Sequence, residues 1–375
     1  MDEPPLSDER VEIADLLGQR RSQAAQRFRE RIIIGSLILC AGITITITLG
    51  IVYILLTETL EFFNPEGHLD AQGNVSVVKP SDFFFGMEWN PLLGGEKHFG
   101  VWPLVVGTFK VAFVAMVFAL PVGLISAIWL SEYAKPKVRN FIKPIIEVLA
   151  GVPTVVFGYF AITFITPYVL RWEWWRVKIP DPDNPGQYLK DASGGFLTEP
   201  AGLFGLLEVD VYNALGAGLA VGIMCLPIVI SLSEDALRAV PKALREGSYG
   251  LGASKFETSV RVVVPAALSG ISAAFLLAIA RAVGETMIVA LAAGASPVKL
   301  VGQGSVGENV GSAVALNESV LPMTGYLVKI FTGDAAHGTV EYYSSYAVAA
   351  TLFVITLTLV VIGNMIQRRF REKYD

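Results

Sequence analysis

SEDALRAVPKALREGSYGLGASKFETSVRVVVPAALSGISAAFLLAIARAVGETMIVALAAG, residues 233–294, is the stretch on which the reading of this chain turns. Its first half is charged and rich in glycine, yet it lies between apolar runs long enough to cross a bilayer. Its second half carries Arg281 and Glu285 inside an otherwise apolar segment. The first half is suited to being held by a partner from the cytoplasm, and the second to handling charge within the membrane.

The whole chain agrees with a membrane setting. Of its 375 residues 53% are hydrophobic and 17% charged, whereas a soluble domain carries about a quarter charged residues. Uncharged runs cover 32–57, 111–131, 148–170, 211–233, 262–280 and 342–366, each near or above the ~18 residues that a transmembrane helix needs. The expected fold is an all-α polytopic membrane protein with six transmembrane helices and a cytoplasmic coupling helix. Period-two alternation is absent, which argues against a barrel. No repeat of solenoid length is present, and no pair of short, broken spans of the kind found in many secondary transporters is evident.

The boundaries follow. Residues 1–31 are a polar tail. The run 32–57 is too long for a signal-peptide core and reads as a retained first span. Residues 58–100 form an external loop, 101–366 the core with its coupling loop at 234–265, and 367–375 a second tail. Lys and Arg set the orientation. They cluster at Arg20–Arg31, Lys135–Lys143, Arg238–Arg261 and Arg368–Lys373 and are sparser in the segments between, so both termini are expected in the cytoplasm.

Smaller features are read more plainly. Phe83, Phe84, Phe85 and Trp89 are expected at the membrane interface, as are Trp172, Trp174 and Trp175 in a turn-rich docking loop at 171–210. Lys110, two turns into a span, is expected to snorkel. Pro121 should kink its helix, while Gly151, Pro153 and Gly158 soften or narrow the next one. Cys40 and Cys225 fall within spans and suggest no disulfide framework. His68 and His98 are too far apart to suggest a metal site, and no metal, Ser/His/Asp or Cys/His cluster suggests an enzyme. Residues 295–341 read as a flexible loop. GQGSVG, with Gly302, Gly304 and Gly307, is a weak dinucleotide-type match that follows no strand.

Within the charged half, Pro241 suits a first helical position, and Gly250 and Gly252 suit a stop. Ser254 with Glu257 forms a capping box, and Pro265 bends the entrance to the next span. Glu246-Gly247-Ser248, three residues, Gly252, nine residues and Val262-x-Val264-Pro265 resemble the EAA loop of ABC importer permeases, with its spacing kept. That resemblance implies that Glu246, Gly247, Ser248, Gly252 and Pro265 serve docking to a nucleotide-binding subunit. The chain has no G-x-x-x-x-G-K-[ST] phosphate loop. It is therefore expected to bind no cofactor itself, with ATP and Mg on the partner ATPase.

Arg281 and Glu285, four apart, share a helical face about 6 Å apart along the axis. Base before acid is the weaker order for pairing, so a structural ion pair and separate roles both stay open. A guanidinium presents a planar fork to oxyanions. Arg281-Ala-x-Gly-Glu285-Thr286-Met287 resembles permeases of the phosphate-specific transport (Pst) system, PstC-type, as do residues 98–366 more widely. The resemblance implies a phosphate permease of the bacterial cytoplasmic membrane, with Arg281, Glu285 and Thr286 on the substrate pathway. It implies as partners a second, PstA-type permease, an ATP-binding subunit dimer, an extracytoplasmic phosphate-binding protein and membrane lipid, with no nucleic acid. A permease for sulfate or molybdate and an ion-coupled secondary transporter are the alternatives.

Overall fold

The computed structural model describes residues 6–70, 73–91, 97–170, 176–178, 181, 187–188, 198–200, 209–300, 311 and 314–369. The chain divides into two compact units, Met1–Thr57 and Glu58–Asp375. Helix α1, Leu6–Phe62, makes up the described part of the first unit and enters the second. It runs unbroken through residue 31, where the sequence suggested a tail giving way to a span. Between Ile32 and Leu60 its large apolar side chains are mostly exposed, Ile38 at 67% and Leu49 at 64%, as befits a membrane-spanning helix apolar all round.

The second unit is built on α3, Trp102–Tyr133, and α6, Ala214–Ala239. Their contact is made of small residues, the device that lets helices approach closely where lipid removes the hydrophobic drive. A Cβ on Gly218 would stand 2.5 Å from Val114 Cβ and 3.0 Å from the Val111 carbonyl oxygen; one on Gly222 would stand 3.0 Å from that of Ala115. Backbone cannot yield as a side chain can. Gly218→Leu should therefore cost about 1–3 kcal/mol or more by overpacking, read as a lowered Tm in detergent, and an unchanged Tm would disprove the close contact.

Two other spans are bent. Helix α4, Pro136–Ala150, meets α5, Thr154–Leu170, at 89°, and α8, Lys255–Ala266, meets α9, Leu268–Val283, at 71°. Pro153 forces the first bend, since it lacks an N–H and drives Val152 from helical geometry. A pair of broken spans was not evident in the sequence, and two bent ones are present here. Four described helices are long and apolar enough to cross a membrane, and the number reaches six when each bent pair is one span.

The described residues of 58–100 form a packed cap. Short antiparallel pairs, β1 (His68–Leu69) with β2 (Val75–Ser76) and β3 (Trp89–Asn90) with β4 (His98–Phe99), flank α2, Pro80–Phe85. Phe83 and Trp89 are not interfacial but buried, at 0% and 4%, whereas Phe84 and Phe85 are exposed. The Trp89 ring meets Tyr326 edge-on at 4.9 Å. Tyr326 lies on α11, Met323–Lys329, within the stretch expected to be a flexible loop. Val320, Leu321, Met323 and Tyr326 are in fact core residues. Lys97 pairs with Asp70 at 3.3 Å and with Glu341, which fastens the cap to the start of α12, Val340–Arg369. In the 171–210 segment Arg176–Lys178 (β5) pairs with Thr198–Pro200 (β6). Trp172, Trp174, Trp175 and the GQGSVG run lie outside the described residues.

Candidate functional site

The charged half of the opening stretch folds into a helical hairpin. Helix α7, Lys242–Gly250, has Pro241 as its N-cap, one place earlier than expected. It closes with Ala253 N–H donating to the Ser248 carbonyl at 3.2 Å and Gly252 N–H to that of Tyr249 at 2.9 Å. This is the Schellman pattern, and it needs the left-handed φ of +84° that Gly252 adopts. The capping box then opens α8. Ser254 N–H donates to Glu257 Oε2 at 2.9 Å, and Glu257 N–H donates to Ser254 Oγ at 3.2 Å. The Ser254 backbone N–H, then its hydroxyl, hold the Glu257 carboxyl below its usual pKa. The cap is thus in place above the ordinary Glu range and is lost only as pH falls through the lowered value.

The hairpin separates the residues that the resemblance assigns to docking. Glu246 and Gly247 are exposed, and a Cβ on Gly247 would meet nothing within 4 Å. Ser248 instead turns inward, its hydroxyl 2.9 Å from that of Thr258, and joins the two helices. Pro265 precedes the bend between α8 and α9. Three apolar residues not singled out in the sequence stand out beside Glu246. Tyr249, Leu251 and Phe256 are 42%, 91% and 67% exposed. Such side chains leave apolar surface uncovered on a short polar hairpin.

Behind it lies a polar joint. Arg245 Nη2 and Nε donate to the Glu132 carboxylate at 2.9 and 3.4 Å, while Nη1 and Nη2 donate to the carbonyls of Val240 and Leu237, each at 2.7 Å. One guanidinium thus ties α7 to the ends of α3 and α6. Lys143 of α4 bonds Glu234 at 2.7 Å and Asp235 at 2.5 Å.

In the apolar half, Arg281 occupies the last turn of α9, and the helix stops at Val283. Gly284, Glu285 and Thr286 form a break before α10, Met287–Ala292. The expectation that Arg281 and Glu285 share a continuous helical face is corrected. Glu285 Oε1 accepts from the N–H groups of Met287 (3.1 Å) and Ile288 (3.4 Å), so the carboxylate caps α10, where a negative charge is stabilised. Glu285 is 7% exposed, and its carbonyl accepts from the Thr324 hydroxyl at 2.7 Å. Thr286 Oγ1 donates to the Gly284 carbonyl at 3.2 Å. Arg281 is exposed, with Nη2 3.9 Å from the Met224 sulfur. It forms no ion pair among the described residues.

Bent apolar helices around a polar break, with a hairpin presented at one end, are the architecture of a polytopic helical membrane protein. The chain matches the family of binding-protein-dependent transport system inner membrane components over residues 119–372 and belongs to it. It is an ABC-type permease, a multi-pass membrane protein. It is 27% identical over 357 residues to the probable ABC transporter permease protein YqgH of Bacillus subtilis, covering 94% of this chain and 95% of that one. It is 29% identical to the phosphate transport system permease protein PstC of Xylella fastidiosa, covering 78% of this chain and 80% of that one. A bacterial ABC transporter involved in import of the acidic polysaccharide alginate shares its fold, with a TM-score of 0.50 at 14% identity, over 89% of this chain and 96% of that one.

Proposed function

We propose that this chain is the membrane-spanning permease subunit of an ATP-driven importer of inorganic phosphate. The hairpin faces the cytoplasm, where it is gripped by ATP-binding subunits that carry the nucleotide and Mg. Both chain termini lie on that side. A second, PstA-type permease completes the pathway, and an extracytoplasmic phosphate-binding protein delivers the ion. The observation that carries this reading is Arg281, an exposed guanidinium at a helix break, with no carboxylate on it among the described residues. Its planar fork is suited to a passing oxyanion. The names of PstC-type relatives favour phosphate over sulfate and molybdate.

The deciding experiment is ATP hydrolysis by the reconstituted complex with its cognate binding protein, challenged with phosphate, sulfate, molybdate and tungstate. Stimulation by phosphate alone is expected; stimulation by another oxyanion reassigns the substrate, and transport that needs no ATPase overturns the class. Docking is tested at Gly247. Because a side chain there meets open space within this chain, Gly247→Trp should fold normally and yet release the ATPase in pull-downs. A burial defect of about 2–4 kcal/mol at an interface centre corresponds to roughly 30- to 1,000-fold weaker binding. Undiminished capture would remove the hairpin from the docking surface.

A further inference from the structure

At the end of α3 away from the hairpin lies a cavity of about 410 Å³, lined by Lys110, Asp210, Ser296, Lys299, Glu318 and Ser319 among others. Its wall is firmly built. The carbonyls of Leu316, Asn317 and Glu318 accept from the N–H groups of Leu215, Asp210 and Ala214 at 2.9–3.1 Å, and Val320 N–H donates to the Ala293 carbonyl at 2.9 Å. Ser319 Oγ accepts from Ala295 N–H at 3.2 Å, which leaves its own proton to donate. Lys299, Asp210 and Glu318 are exposed at the rim. Lys110 is only 7% exposed: it sits in the cavity wall, beside Glu318, rather than snorkelling to a surface.

We propose that this cavity is a receiving site for a tetrahedral oxyanion on its way to Arg281, a proposal that rests on the phosphate-import reading and extends it. Two ammonium groups and a serine hydroxyl supply donors to the oxygens. The two carboxylates add selectivity, because at neutral pH phosphate still carries a proton to donate to them and sulfate carries none. A site built to accept such a hydrogen bond disfavours the analogue that lacks it. The volume holds the ion together with several waters at ~30 Å³ each. The ion is therefore held while partly hydrated and is exchangeable, as conduction through successive sites requires. Helix α10, about 9 Å long at its six residues, is all that separates the neighbouring residues 293–299 from the break next to Arg281.

The test is a footprint on the reconstituted complex. Lys299 is acylated from outside with a membrane-impermeant N-hydroxysuccinimide ester and quantified by peptide mass spectrometry, in chloride, phosphate or sulfate at equal ionic strength. Phosphate at twice its Kd should slow labelling about threefold relative to chloride, and sulfate should slow it less. Lys110→Met, close in volume and suited to burial, should abolish the phosphate effect without altering the rate in chloride. Glu318→Gln should bring phosphate and sulfate protection together. Equal labelling in phosphate and chloride, or full protection in Lys110→Met, overturns the proposal. So does protection that follows phosphatidylglycerol content in phosphatidylcholine vesicles without phosphate, since the ligand would then be a lipid headgroup. The two readings fail separately. Phosphate-stimulated ATP hydrolysis with no footprint removes the cavity alone, whereas a footprint in a complex that hydrolyses ATP only for another oxyanion removes the phosphate assignment.

Discussion

Arg281→Ala is expected to cut phosphate uptake by the reconstituted complex sharply and to leave its assembly intact. A hydrogen bond to a charged group is worth about 1.5–3 kcal/mol, so deleting the guanidinium that meets a passing anion should slow translocation by roughly ten- to a hundredfold, at tenfold per 1.36 kcal/mol. Assembly is spared because the guanidinium contacts the Met224 sulfur and satisfies no carboxylate among the described residues, so its removal orphans no partner. Arg281→Lys should retain part of the rate, since an ammonium keeps the charge without the fork. Glu285→Ala is expected to act differently, by removing the acceptor for Met287 and Ile288 N–H and fraying α10. Isotope uptake and complex recovery are measured on the same preparations. Wild-type uptake by Arg281→Ala would take the residue out of the mechanism, and loss of the complex would make its role structural.

What could be read in advance was local chemistry. The capping box at Ser254 and Glu257, the glycine stop at Gly252 and the bend after Pro265 are set by residues within a turn of one another, and each is present. Hydropathy, by contrast, reports only the length of an apolar run. It cannot see that the run through Arg281 is interrupted at Gly284, because the residues on both sides are equally apolar, and so it placed Arg281 and Glu285 on one face. Nor does composition separate an aromatic residue at the interface from one in a core. Trp89 is buried against Tyr326, more than two hundred positions away, and Phe83 against Phe62 and Phe63 from the end of α1. The pairing of Arg245 with Glu132 spans 113 positions, and in the sequence Arg245 is only one member of a basic cluster. Snorkelling was a fair expectation for Lys110 on a lone helix, and it fails because segments 210–215 and 316–320 close around that end of α3.

The Arg245–Glu132 joint sets the other large effect, the loss of coupling between ATP hydrolysis and transport. The side chains are 17% and 6% exposed, and breaking a buried pair by removing one partner costs about 3–5 kcal/mol, less where water reaches the cation. Arg245→Gln would leave the Glu132 carboxylate without its cation, held by the Ser131 hydroxyl at 3.2 Å, and release the carbonyls of Leu237 and Val240, so that α7 is no longer fixed to the ends of α3 and α6. Movement of the hairpin by the ATPase would then leave those helices behind. More ATP hydrolysed per phosphate imported is the expected result, together with a lowered Tm. Arg245→Lys should fall between the two, because one ammonium has three donors and cannot hold the carboxylate and both carbonyls in the geometry that a five-donor guanidinium spans. The double variant Arg245→Glu with Glu132→Arg separates attraction from position. It restores the charge pair but not the two carbonyl bonds, and should therefore recover stability more fully than the coupling ratio. If both recover to the same degree, the guanidinium acts only as one half of a salt bridge. If the ratio never moves in Arg245→Gln, force reaches α3 and α6 by another route.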